Sequence, residues 1–227
     1  MPGTLQYIAG VPKTKSRAEE NEFVEYLTRA IRSLGVKTET GVLIGPEATA
    51  KLQDFDEVVI ATGGIPICLP LPETQSNVAL AEDVLQNRTR LGSKIVVIGG
   101  GMVGCETAEW IAKDGKQVII VEQWAEVAGD MESRTRKLLL DRLESYKVEI
   151  ICKTKVECLE KDKIICCQGG LRLEMEGVDN IVLALGYRAN SFIPQVPSKK
   201  VHRIGDCVQP RKAIEAVHEG FLLGVEL

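Results

Sequence analysis

The stretch KIVVIGGGMVGCETAEW, residues 94–110, places Gly99, Gly101 and Gly104 in a G-x-G-x-x-G spacing between an apolar run and a helical pattern. Each glycine answers a different need at a strand-to-helix turn. The first permits a tight bend, the second lets backbone approach a diphosphate, and the third lets the helix pack close to the strand. The amides that open the helix, those of Met102, Val103 and Gly104, then face an anion with the positive end of the helix dipole behind them. An acid follows in the right place: Glu122 closes the next apolar run, QVIIVE, about twenty residues beyond the turn. There a carboxylate accepts hydrogen bonds from ribose hydroxyls and repels a 2′-phosphate. No arginine lies in the following QWAEVAGD to welcome such a phosphate, which favours NADH over NADPH as the ligand.

Other reactive side chains are few. His202 and His218 are the only histidines, and neither is accompanied by a nucleophile in a triad-like arrangement. Cys105 follows the third glycine at a helix start, where a thiolate can be stabilised, but tight packing is the expected role of a side chain there. Glu106 is a candidate for the nicotinamide side of the site. The seven cysteines form no C-x-x-C, so neither a metal site nor a disulfide framework is indicated. Reduced, mostly buried thiols are expected, with a redox-active pair as the alternative. No catalytic residue is assigned, because hydride transfer between two cofactors needs two rings held face to face rather than an acid–base pair.

The elements that would hold these residues follow from patterning. Residues 94–98 and 117–121 read as buried strands flanking a helix, and a second amphipathic helix is predicted over Glu132–Tyr146. VEIICKTKVECLEKDKIICCQGGLRLEM alternates short apolar runs with charged turns, the pattern of an antiparallel meander, and NIVLALGYRAN supplies one more strand. Upstream, Phe23, Leu27, Ile31 and Leu34 share a helical face that Gly35 would end, with a short strand at Val36–Thr40 and a buried one at Val58–Ala61. A short helix is predicted around Ala79–Leu85, and QNRTRLGS reads as the domain boundary. The proline-rich IPICLPLPE must be a loop, and a final helix starts at Lys212. A net charge of −4 and 4% aromatic residues argue against nucleic acid as partner. With no apolar run near ~18 residues and no signal-peptide start, a cytoplasmic protein that does not enter the membrane is expected.

Two flanking pieces explain what lies on either side of the glycine turn. VVIATGG before it and VHRIGDCVQPRKAIEAVHEG after it resemble the middle and end of an FAD-binding domain into which an NAD(P)-binding domain is inserted. The fold class implied is α/β: a Rossmann-like domain, residues 91–198, set within a partial, discontinuous FAD-binding-type domain, residues 1–90 and 199–227. More closely, YIAGVPKTK, IATGG, GGGMVGCETAEW, AEVAGDM, LALGYRAN and RIGDC resemble the C-terminal part of the 2,4-dienoyl-CoA reductase, enoate reductase and trimethylamine dehydrogenase family.

That resemblance covers nearly the whole chain and implies an NADH:flavin oxidoreductase. Thr62 and Gly63 would line the adenosine side of an FAD site, with Gly205 and Asp206 at the flavin's ribityl and pyrophosphate region. Gly186 and the residues to Asn190 would close over the nicotinamide half of NAD. The family carries FMN and a four-cysteine iron–sulfur (4Fe-4S) cluster in an N-terminal barrel, and electrons pass from NAD(P)H through FAD and the cluster to FMN. In its dehydrogenase branch the FAD site holds ADP. This sequence contains no barrel, no cluster cysteines and no first FAD glycine turn, so a fragment of a longer enzyme is expected. FAD is then expected in the full-length protein rather than in this chain alone, because a diphosphate there lacks its principal helix N-terminus. Partners implied are the nicotinamide dinucleotide and the missing barrel; the oligomeric state is left open. A vestigial ADP-binding module and a free-standing dehydrogenase are the alternatives.

Overall fold

The computed structural model describes residues 15–44, 46–70, 77–160, 163–191, 196 and 199–227. Residues 7–14, 71–76 and most of 192–198 lie outside them, and with them nearly all of YIAGVPKTK and parts of the two proline-containing loops. The chain forms two compact units, residues 66–186 and residues 1–65 with 187–227.

In chain order the outer unit begins with α1 (Lys15–Ser33), a 3-10 turn (Pro46–Asp54), β1 (Glu57–Ile60) and β2 (Gly64–Pro66). The central unit follows with β3 (Val78–Leu80), α2 (Ala81–Leu85), β4 (Lys94–Ile98), α3 (Met102–Lys113), β5 (Gln117–Val121) and α4 (Ser133–Ser145). It continues with β6 (Glu149–Ile151), β7 (Thr154–Glu160), β8 (Lys163–Gln168), β9 (Leu171–Glu176) and β10 (Asn180–Leu183). The chain then returns to the outer unit in β11 (Tyr187–Ala189), β12 (Lys200–Arg203), a 3-10 turn (Gly205–Cys207) and α5 (Ala213–Glu226).

The central unit is a three-layer stack. Its middle layer is a parallel sheet in the order β3-β10-β4-β5-β6. Because successive side chains point to opposite faces, Ile95, Val97, Val118, Ile120 and Val182 pack against the helices on one side. Val96, Ile98, Ile119, Val121, Ile181 and Leu183 pack against the antiparallel sheet β7-β8-β9 on the other. This double burial is why these strands read as unbroken apolar runs. The strand order reverses between β4 and β10, and in such sheets ligands usually sit beyond the C-terminal ends of the strands at that point.

Three expectations need correction. The division falls at residues 65/66 and 186/187, not at 90/91 and 198/199. Val78–Leu80 pairs in parallel with β10, and Ala81 and Val84 of α2 sit in the helix-side core, so residues 77–93 belong to the central unit. The same pairing turns the first residues of the expected helix at Ala79 into a strand. Residues 36–40 are not a strand; after α1 the chain turns at Gly35 (φ 70°), with the Val36 amide donating to the Ile31 carbonyl at 3.1 Å.

In the outer unit β1 and β12 pair in parallel, Val58 opposite Val201 and Ile60 opposite Arg203. Val58, Ile60 and Cys207 form its small buried cluster. Phe23, Leu27, Ile31 and Leu34 of the predicted apolar stripe all remain exposed among the described residues.

Candidate functional site

The strand-to-helix turn after β4 is shaped by three glycines in three ways. Gly99 adopts φ 103°, and a Cβ there would lie 2.4 Å from the Ala184 carbonyl oxygen just past β10. At Gly104 a Cβ would fall 1.9 Å from the Gly99 carbonyl oxygen, so α3 touches the turn backbone to backbone. Both positions are filled by protein. Gly101 is different: its Cβ direction is open apart from the Asp130 carboxylate at 3.7 Å. Of the three, only Gly101 has a Cβ direction clear of backbone among the described residues.

Gly101 caps α3 in an extended conformation (φ −67°, ψ −177°) with no side-chain cap of its own. The amides of Met102, Val103 and Gly104 open the helix and have no intrahelical acceptor. Val103 packs its side chain on the helix-side core. Gly186 lies two residues beyond Ala184 with φ 84°, its carbonyl accepting the Ile67 amide at 2.9 Å.

Glu122 follows β5 and is only 6% exposed. Its two carboxylate oxygens accept separate backbone amides, Gly100 at 2.6 Å and Trp124 at 2.8 Å. The side chain therefore ties the glycine turn to the end of the neighbouring strand. It is no solvent-facing strand end. Each oxygen retains a second lone pair, so the residue fits hydroxyl donors from a ribose while staying anchored.

Two contributors lie in the motifs GGGMVGCETAEW and AEVAGDM, but the sequence assigned them no role. Gly100 is as constrained as its neighbours, since a Cβ would meet Val127 Cγ1 at 2.6 Å and Glu122 Cβ at 3.0 Å. The run of three consecutive glycines was the available signal. The second is the loop after Glu122, which closes onto the turn. The Ala128 amide donates to the Gly100 carbonyl at 2.7 Å, and Arg136 Nε donates to the Val127 carbonyl at 2.9 Å. Val127 and Ala128 are buried, whereas Asp130 is exposed and accepts the Met102 amide at 2.9 and 3.2 Å. No residue spacing announces Asp130.

Around the site the chemistry is quiet. Cys105 is fully buried, and burial, assisted by the Asp130 and Glu122 charges, pushes its thiol up to about 12. It packs and is not a thiolate. Glu109 holds α3 to α4 through Arg142, whose Nε and Nη2 donate at 2.9 and 3.1 Å, with Lys113 at 2.8 Å. Among the described residues no group of three or more His, Cys, Asp or Glu is placed to hold a metal ion, and no helix is long and apolar enough to cross a membrane.

In the outer unit, β1 leads into Thr62–Gly63 and β12 into Gly205–Asp206, so parallel pairing puts all four at the same sheet end. Thr62 Oγ1 donates to the Asn190 carbonyl at 3.4 Å, and Gly63 has φ 73° with, among the described residues, no atom within 4 Å of its Cβ direction beyond its chain neighbours. Gly205 (φ 69°) donates its amide to Glu219 at 2.6 Å, and Asp206 Oδ1 accepts the Arg211 amide at 3.2 Å. Arg211 pairs in turn with Glu219.

A parallel sheet reversing order at a glycine turn, carried between two segments of a second α/β unit, defines a disulfide-reductase-like fold for FAD and NAD. The chain belongs to the pyridine nucleotide-disulphide oxidoreductase family, whose sequence profile matches residues 6–203. It is 33% identical over 222 residues to a bilirubin reductase of Mediterraneibacter gnavus, covering 95% of this chain and 34% of that protein. It is 31% identical over 235 residues to an NADH oxidase of Thermoanaerobacter brockii, covering 96% of this chain and 34% of that protein. Among solved structures, a 2-naphthoyl-CoA reductase superposes with a TM-score of 0.83 at 26% identity, over 98% of this chain and 34% of the other. The chain thus spans about a third of the length of these proteins.

Proposed function

We infer that this chain is the pyridine-nucleotide-binding portion of an NADH-dependent flavin oxidoreductase. In the whole enzyme it delivers hydride from NADH to FAD, for onward transfer to an FMN and 4Fe-4S barrel that reduces an enoate or enoyl-CoA-type substrate. The observation that carries this reading is the turn at the switch point: the Cβ positions of Gly99 and Gly104 are filled by backbone, while that of Gly101 meets only the exposed Asp130 carboxylate among the described residues. The residues present fit the cofactor. Gly101, Met102, Val103 and Gly104 would meet the diphosphate through backbone, Gly99 shapes the bend, and Glu122 would take the adenosine ribose hydroxyls.

A bound nicotinamide supplies two electrons as hydride; the chain's own residues bind, orient and select. Glu122 selects by charge, since its anchored carboxylate faces a ribose 2′-hydroxyl favourably and a 2′-phosphate unfavourably. Thr62, Gly63, Gly205 and Asp206 would face FAD in the outer unit. The Gly205 amide is already committed to Glu219, which supports FAD being held with help from elsewhere in the whole protein. Names of the relatives, an NADH oxidase, a bilirubin reductase and a 2-naphthoyl-CoA reductase, support the same class of reaction.

Calorimetric titration with NADH, NADPH and ADP tests the reading. Micromolar binding of NADH, tighter than NADPH, is the expected result. Binding of ADP with no contribution from the nicotinamide half would instead support a nucleotide-holding structural module, and no nucleotide binding would reject both.

A further inference from the structure

Asp130 stands where the proposed ligand's charge must go. Both of its carboxylate oxygens lie within hydrogen-bond reach of the Met102 amide, at 2.9 and 3.2 Å. Among the described residues the same carboxylate is the one group near the Cβ direction of Gly101 beyond its own chain neighbours and helix, at 3.7 and 4.0 Å. Met102 is the first residue of α3, so its amide belongs to the anion-binding set that a diphosphate would use.

We propose that Asp130 is an anion placeholder that sets dinucleotide affinity: its carboxylate caps α3 in the free protein and must leave the Met102 amide when a diphosphate arrives. The inference rests on the dinucleotide reading above. The surrounding architecture lets the side chain move alone. Its backbone is fixed by neighbours, because Val127 and Ala128 are buried, the Ala128 amide holds the Gly100 carbonyl, and the Met131 amide donates to the Ala128 carbonyl at 3.1 Å. Asp130 itself is exposed, and its carboxylate has water to rotate into. The consequence is a lowered affinity. One hydrogen bond is exchanged rather than gained, and a negative charge stays close to a dianionic ligand, reinforced by Glu122 across the turn. In the free protein the same contact keeps the helix end satisfied.

The test uses two substitutions in the full chain, with calorimetric titration and thermal melting. Asp130→Asn keeps an oxygen able to accept the Met102 amide and removes only the charge; Asp130→Ala removes charge and cap together. Both variants are expected to bind NADH about tenfold more tightly than the wild type, about 1.4 kcal/mol. ADP should gain similarly, and adenosine, which has no diphosphate, should not. Raising salt from low to physiological strength should shrink the gain, because exposed charges are screened over about 8–10 Å. The melting temperature of the free protein should fall for Asp130→Ala and hold for Asp130→Asn. If the wild type binds NADH and Asp130→Asn binds it equally or more weakly, Asp130 is only a helix cap and the proposal is wrong. If neither the wild type nor either variant binds NADH, the dinucleotide reading falls with it.

Discussion

Adding one methyl group at Gly101 and at Gly104 should have opposite consequences, and the contrast follows from the two environments. At Gly104 the new carbon would sit 1.9 Å from the Gly99 carbonyl oxygen and 3.3 Å from Ala184 Cβ. Backbone has to move by more than an ångström, because ordinary carbon–oxygen contact is about 3.3–3.6 Å. Overpacking of this kind costs about 1–3 kcal/mol or more, offset by at most about 1 kcal/mol of helix propensity gained over glycine. Gly104→Ala should therefore lower stability by about 2 kcal/mol. At Gly101 the backbone is extended, which any residue adopts, and the nearest atom is an exposed carboxylate oxygen at 3.7 Å. Gly101→Ala should leave stability within about 1 kcal/mol of wild type, the range of an N-cap glycine replacement. Its methyl, however, occupies the approach of the diphosphate, and a misfit of about 1–3 kcal/mol weakens NADH about 5- to 150-fold. Urea denaturation reads the first effect. Quenching of tryptophan emission by bound NADH, with Trp124 exposed beside Glu122, reads the second. A Gly101→Ala protein that melts normally and binds NADH as the wild type does would refute the assigned approach path.

Glu122→Gln should cost about 2 kcal/mol in urea denaturation, since one of two amide bonds to a buried carboxylate meets an NH2 group instead. The same variant should raise the ratio of NADPH to NADH affinity, read by parallel titrations. Arg142→Ala should destabilise by about 1–2 kcal/mol, between an exposed and a fully buried ion pair. Burial alone would raise the Glu109 carboxyl, but its bonds to Arg142 and Lys113 prevail and hold it below the usual range. Its folded value being depressed, this contribution is present above about pH 4.5 and lost as pH falls through the lowered value, and acid melts of Arg142→Ala should show a shallower decline. Glu132 caps α4 by accepting the Arg134 and Thr135 amides, which bring its carboxyl down to about 2. Its stabilisation should disappear between pH 4.5 and 2, and Glu132→Ala should lose the difference between those pH values.

Much of the central unit was legible because its strands are buried on both faces and its helices on one, so composition and periodicity carry the assignment. Val96 and Val97 face different layers yet are both apolar, and that run could be read only as a strand of a covered sheet. The short edge strand Val78–Leu80 was not legible, because three residues carry no period and their identity as strand comes from pairing with β10. The domain limit was misplaced for the same reason: a polar linker, residues 86–93, runs within the central unit, and sequence composition cannot distinguish a surface loop from a boundary. At the site, the glycines and Glu122 announced themselves through spacing. Asp130 did not, because its position depends on a loop fixed by buried Val127 and Ala128 and by Arg136, contacts between residues with no regular separation.

A crystal structure of this chain grown with NADH most directly tests the central claim, that the head of α3 holds a dinucleotide. The expected density places the diphosphate on the amides of residues 101–104, with the adenosine ribose against Glu122 and the Asp130 side chain turned away. Nucleotide bound elsewhere, with Asp130 still seated on the Met102 amide, would contradict it.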